Sequence, residues 1–154
     1  MDKIIVLEFS MIGKKRAYAL LLMNARFVRL LSQYYTQFRH IKNLGKIAKK
    51  KAIKRFPSKF EKIKPFIDYI YLTTRKESIK KKIRELQMKY SGLLIYDINF
   101  EKDILKTNKW SLIRENKRKL KLSRRYDYLT VINLVDEALR WFMNKDVKEK
   151  ILDP

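Results

Sequence analysis

The sequence predicts an α/β domain: a small, largely parallel sheet of about three strands, flanked by helices and closed by a C-terminal helix. Three observations carry this expectation. Apolar runs rich in Ile, Val, Leu and Tyr stand at residues 3–11, 66–73 and 93–100. The stretches between them repeat apolar residues at helical spacing, as right-handed crossovers between parallel strands require. Only 3 Gly and 3 Pro occur in 154 residues, too few for most turn-rich all-β folds. With 46% hydrophobic residues the chain has a core for one domain, 1–154. It divides into a β-α-α-β-α-β core at 3–100, a basic irregular segment at 101–125 and the helix at 126–144.

The elements follow in order. Residues 3–11 (KIIVLEFSM) read as a strand buried on both faces, with Ile4, Val6, Glu8 and Ser10 on one side and Ile5, Leu7, Phe9 and Met11 on the other. Gly13 ends it. Ala17, Leu21, Asn24, Val28, Leu31, Tyr35 and Phe38 recur at steps of three and four, which predicts a long helix. A second, very basic helix is expected from Gly45 to Arg55, stopped by Pro57. Ser58 and Glu61 have the spacing of a capping box and open one more short turn before Pro65. Phe66–Thr73 is the second strand. Ser78 caps a helix whose inner stripe is Ile79, Ile83, Leu86 and Tyr90, closed by Ser91-Gly92. Leu93–Phe100 is the third strand. Trp110–Leu122 reads as a short strand pair or a loop. The stripe Val131, Val135, Ala138, Leu139 and Phe142 makes Tyr126–Asn144 a helix, after which the tail frays.

Composition excludes several chemistries. There is no Cys, hence no disulfide scaffold, thiolate zinc site or thiol nucleophile. His40 is the only histidine, which excludes a Ser-His-Asp hydrolase and a His-rich metal site within one chain. Gly13, Gly45 and Gly92 are too widely spaced for a dinucleotide fingerprint or a P-loop. The longest apolar run, Ala17–Met23, is too short to span a membrane. No signal-peptide cleavage site follows it, so the chain is expected to be cytoplasmic, or virion-associated if the source is viral. Its richness in Lys, Ile and Tyr points to a thermophilic or A·T-rich source, archaeal or viral.

The charge points to a partner. Lys and Arg number 38 against 16 Asp and Glu, a formal net charge of +22. Self-repulsion on this scale is relieved by a polyanion, and nucleic acid is the commonest one. Three clusters hold the excess. The first contains Lys49, Lys50, Lys51, Lys54 and Arg55, and the second Lys80, Lys81, Lys82 and Arg84, expected to extend it. The third contains Arg114, Lys117, Arg118, Lys119, Lys121, Arg124 and Arg125, flanked by Trp110 and Tyr126. Lysines neutralise phosphates without reading sequence. Arg124 and Arg125 suit bidentate contacts.

Glu8 and Ser10 are polar positions on an otherwise apolar strand. A carboxylate buried there needs an ion pair or a metal, unless the strand lies at an edge in water. Asp68 and Asp97 lie on predicted strands, and register decides whether they join Glu8. His40 and Asn24 read as structural or solvated residues.

The order of elements resembles the later half of the PD-(D/E)xK, or restriction-endonuclease-like, nuclease superfamily. The matching residues are Leu7-Glu8-Phe9-Ser10, then Phe66-Ile67-Asp68-Tyr69-Ile70-Tyr71-Leu72-Thr73-Thr74, then Ser91-Gly92-Leu93-Leu94-Ile95-Tyr96-Asp97. The resemblance covers roughly residues 3–99. It implies Glu8 as the metal-binding carboxylate of E-x-K, with Mg²⁺ or Mn²⁺ as cofactor. Ser10 stands where the family has Lys, which implies Lys14 or Lys15 as a displaced catalytic lysine. The early half of the family fold, with its metal-binding Asp, has no counterpart here.

Three functions are therefore expected. The first is a nucleic-acid-binding protein, for DNA in preference to RNA, on a degenerate nuclease-like core that needs no cofactor. The second is an active Mg²⁺-dependent nuclease using Glu8. The third is a non-enzymatic DNA-packaging or viral structural protein. In each, the C-terminal helix is either the face of a homo-oligomer or docks on its own core.

Overall fold

The computed structural model of the protein describes residues 2–34, 45–115 and 127–154. Six strands form one mixed sheet: β1 (Asp2–Ile12), β2 (Lys15–Asn24), β3 (Tyr69–Thr73), β4 (Ser91–Tyr96), β5 (Trp110–Arg114) and β6 (Glu149–Leu152). Their order across the sheet is β5-β4-β1-β2-β3-β6. Four helices accompany them among the described residues: α1 (Val28–Tyr34), α2 (Lys46–Ile63), α3 (Lys76–Lys89) and α4 (Asp127–Met143).

This corrects the expected small, largely parallel sheet of three strands. β1 pairs antiparallel with β2, β2 with β3, and β3 with β6; only β1–β4 and β4–β5 are parallel. The error lies mainly at residues 15–24. Gly13, at φ 59°, turns the chain back on itself, and Ala17–Met23 returns as the second arm of a hairpin. β2 lies between β1 and β3 with both faces covered, so every residue from Ala17 to Met23 is buried. An uninterrupted apolar run satisfies a helical stripe as readily as a two-faced strand, and periodicity alone does not separate them. Among the described residues, α1 is what the structure keeps of the predicted long helix; Tyr35 and Phe38 lie outside them.

Other elements shift by smaller amounts. α2 passes through Pro57, which stays exposed, and ends at Ile63 rather than Arg55. Burial of Phe56, Phe60 and Ile63 outweighs the roughly 3 kcal/mol that an internal proline costs. The expected short turn at Ser58 is part of that same helix. The tail does not fray. Residues Glu149–Leu152 extend the sheet beside β3, held by Tyr71 Oη–H donating to Glu149 and Thr74 N–H donating to the Lys148 carbonyl at 3.0 Å.

The sheet separates two cores. Ile5, Leu7, Leu20 and Leu22 pack against α3 through Ile79, Ile83 and Leu86. Ile4, Val6, Leu21 and Met23 face α1, α2 and α4 on the other side. α4 is buried almost throughout from Val131 to Met143, so its stripe docks on its own chain. Among the described residues, no helix is long and apolar enough to cross a membrane.

Candidate metal centre

Side chains alternate along β1, so Glu8 and Ser10 share the face of Ile4 and Val6, toward α1, α2 and α4. Across the parallel half of the sheet, Leu7, Tyr96 and Arg114 are partners in one row. The ladder then continues by one residue. Asp97 N–H donates to the Leu7 carbonyl at 3.2 Å, and Glu115 N–H donates to the Tyr96 carbonyl at 2.7 Å. The next position on each of three adjacent strands is therefore an acid: Glu8, Asp97 and Glu115. One carboxylate oxygen from each lies within 4.8 Å of the other two. Glu8 is 6% exposed, while Asp97 and Glu115 are half-buried.

The location is chemically favourable. β4 and β5 end at this row, and open sheets bind ligands in the crevice beyond the carboxyl ends of their parallel strands. Asp97 is held in place by accepting from Asn99 N–H at 2.9 Å and from the Asn99 side chain. Below it, Tyr96 is kept protonated. Burial pushes its phenol pKa up, and the hydrogen bond to Glu101 and that residue's charge add to this, against a smaller opposing effect of Arg114. Three carboxylates this close repel one another, and a cation among them removes the repulsion. The donors are all hard oxygens, which fit Mg²⁺, Mn²⁺ or Ca²⁺ and not a soft thiolate-seeking metal.

The expected site residues separate clearly. Glu8 and Asp97 come together; Asp68 does not join them. It sits at the amino end of β3, paired with Lys3 at 2.6 Å. Lys14 occupies the hairpin turn beyond Ile12, which itself stands about 13 Å along β1 from Glu8 at 3.3 Å per residue. Lys15 donates to the carbonyls of Met143 at 2.8 Å and Lys145 at 3.3 Å. The sheet therefore holds both lysines away from the carboxylates. Ser10 is buried, and its Oγ has no hydrogen-bond partner among the described residues. Glu115 was not anticipated. β5 is only five residues long and begins and ends with Trp and Arg, so its strand signal is weak. The available signal was an acid directly after a short apolar run, as at Tyr96-Asp97.

The basic clusters also separate. On α2, Lys50, Lys51, Lys54 and Arg55 are exposed and Lys49 is half-buried. On α3, Lys81 and Arg84 are exposed. Lys80 lies 3.8 Å from Asp103, and Lys82 sits over the Tyr69 ring. α2 and α3 pack on opposite faces of the sheet, so the second cluster does not extend the first. The carboxylates lie on the α2 face. Lys117, Arg118, Lys119, Lys121, Arg124 and Arg125 fall outside the described residues; in sequence the first of them stands two residues after Glu115. A cleft at the opposite, amino end of the sheet is lined by Lys3, Lys89, Tyr90, Ser91 and Lys109, far from the three acids. No protein-family model, no curated protein and no solved structure matches the chain.

Proposed function

We propose that the protein is a divalent-metal-dependent nuclease, with Glu8, Asp97 and Glu115 as its metal ligands. One observation carries this reading: three carboxylates from adjacent strands converge on one face at the carboxyl end of the sheet, within 4.8 Å. The chain's charge of +22 supports a polyanionic substrate. The set of carboxylates fits a hard cation, which supplies Lewis-acid activation of a phosphodiester and a water of lowered pKa. The protein's own groups have distinct tasks. Glu8, fixed in a rigid strand, sets the depth of the site. Asp97 and Glu115, at strand ends, are open enough to share an ion with substrate oxygens. Exposed cations on α2 neutralise phosphates on the same side of the sheet and set the path of the strand.

A second reading, binding without cleavage, is favoured by Ser10. No described lysine of the β1–β2 hairpin reaches the carboxylates to complete the catalytic set implied by the nuclease resemblance. One experiment decides between them. Linear and single-stranded DNA and RNA are incubated with the protein in Mg²⁺, Mn²⁺ or EDTA, beside Glu8→Ala. Metal-dependent cleavage that disappears in the variant supports the nuclease. Salt-sensitive binding of nucleic acid with no cleavage under any metal supports the binding reading.

A further inference from the structure

Among the described residues, both edges of the sheet are open: β5 pairs only with β4, and β6 only with β3. Edge strands are commonly guarded against pairing with another chain by Lys or Pro. Trp110–Arg114 contains neither. Lys150, the one lysine of β6, is drawn onto the Trp141 ring at 5.0 Å. Ile151 beside it is 53% exposed. The inner ladders fix which backbone groups these edges leave free. Gly92 N–H donates to the Lys109 carbonyl and Glu115 N–H to the Tyr96 carbonyl, so the odd-numbered residues of β5 face β4. Leu112 and Arg114 therefore turn their N–H and C=O groups outward. Thr74 N–H donates to the Lys148 carbonyl, so Glu149 and Ile151 do the same on β6.

The two edges match each other. Leu112 packs on the α3-side core, Arg114 shares a row with Tyr96, and Glu149 and Ile151 pair with Thr73 and Tyr71. All four side chains therefore stand on the α3 face. β5 runs with β1 and β6 runs against it, so β6 of one copy meets β5 of an identically oriented copy antiparallel. With Arg114 opposite Glu149, Leu112 falls opposite Ile151. That gives an ion pair and an apolar pair, both at positions whose backbone groups face each other. A shift of two residues either way sets Leu112 against Asp153 or Glu149. Pairing β6 with a second β6 sets Glu149 against Glu149, Ile151 or Asp153, none of which complements it. The charge agrees: residues 127–154 hold four basic and six acidic residues in a chain of net +22, so this end attracts a cationic copy that the rest repels.

We infer that copies of this chain join head to tail, β6 of one on β5 of the next, with Arg114 against Glu149 and Leu112 against Ile151. The contact uses two different edges and does not close as a two-fold dimer does, so it repeats into a filament. Each copy adds six strands, about 29 Å at 4.8 Å per strand. The inference does not rest on the nuclease reading, since none of the four residues is a proposed metal ligand.

The test uses the full chain without nucleic acid in 1 M salt, where charges are screened beyond about 3 Å. Sedimentation equilibrium should show the mass rising past a dimer as the protein concentration approaches about 1 mM. Proline at an outward-facing N–H leaves an edge strand in its own sheet and removes the donor a neighbour needs. Arg114→Pro thus blocks the β5 edge and Ile151→Pro the β6 edge. Each variant alone should be monomeric, with the thermal transition of the parent. Mixed in equal amounts they should form a 1:1 dimer that grows no further, because each supplies the edge the other lacks. A parent that stays monomeric, a folded proline variant that associates on its own, or a mixture of folded variants that stays monomeric overturns the inference. Ile151→Asp changes no backbone group and should weaken the parent's association at least about tenfold. Association at parental strength in that variant overturns the inference even where a proline variant unfolds.

Discussion

The backbone N–H of Asp97 donates to the carbonyl oxygen of Leu7 at 3.2 Å, one residue past the last paired position of β4. That bond brings the Asp97 carboxyl group beside Glu8. The equivalent bond from Glu115 to Tyr96 brings the third acid into the same row. The proposed metal centre is thus a property of strand register: a slip of one residue would turn each acid to the other face.

Metal binding should depend on all three acids. Glu8→Gln, Asp97→Asn and Glu115→Gln are each expected to lower metal-dependent cleavage by about two orders of magnitude or more. Mn²⁺ titration followed by calorimetry checks the ligand role independently of turnover. In the parent, metal at 100 times its dissociation constant should stabilise the fold by about 2.7 kcal/mol, and the variants should lose that gain.

Nucleic-acid affinity should be one-sided. Replacing the exposed α2 residues Lys50, Lys51 and Lys54 by Ala is expected to lower the slope of log K against log salt by up to about three. Lys81→Ala with Arg84→Ala, on the opposite face, should leave that slope unchanged. Filter binding across a salt series measures both. Equal effects from the two helices would contradict a path on the α2 side.

Gly92 admits no side chain. It stands at φ 148°, and a Cβ there would lie 1.9 Å from the Lys3 carbonyl oxygen across the β1–β4 pair. Gly92→Ala should destabilise the protein by about 3 kcal/mol or more, through backbone strain and loss of the parallel pairing that positions Asp97. Urea denaturation would show it.

Stability should fall in strong alkali through Tyr69. Its phenol pKa is pushed up from 10.0 to about 12, by burial first and then by Tyr90, Asp68 and Glu85. A folded-state value above the unfolded one favours the folded state fully below pH 10, and that contribution is lost as pH rises toward 12. Tyr69→Phe should flatten the decline over this interval, as followed by thermal melts at successive pH values.

Much of the chain is legible from local pattern. The inner stripe of α3, with Ile79, Ile83 and Leu86, is buried as its spacing requires, and so is that of α4. Each of the three apolar runs holds a strand, although the second begins only at Tyr69 and the third ends at Tyr96, with Ile98–Phe100 in a 3-10 turn. Residues 15–24 misled because a strand covered on both faces has no period of two to detect. β6 is invisible locally: Glu-Lys-Ile-Leu is a weak strand former, and β3 supplies the pairing. The candidate site was half legible. Glu8 stood out as a carboxylate in an apolar run. Asp97 was one of two possible companions, and Glu115 followed a strand too short to recognise.

Residue order alone established the cationic surplus, the absence of cysteine, the presence of a single histidine, the main apolar stripes and the anomaly at Glu8. These are sums and local periods, and they need no knowledge of neighbours in space. The convergence of Glu8, Asp97 and Glu115, the withdrawal of Lys15 to the end of α4, and the division of the basic helices between opposite faces arise only on folding. Each depends on which strands are adjacent and in what register, and contacts across tens of residues leave no mark in any short window of sequence.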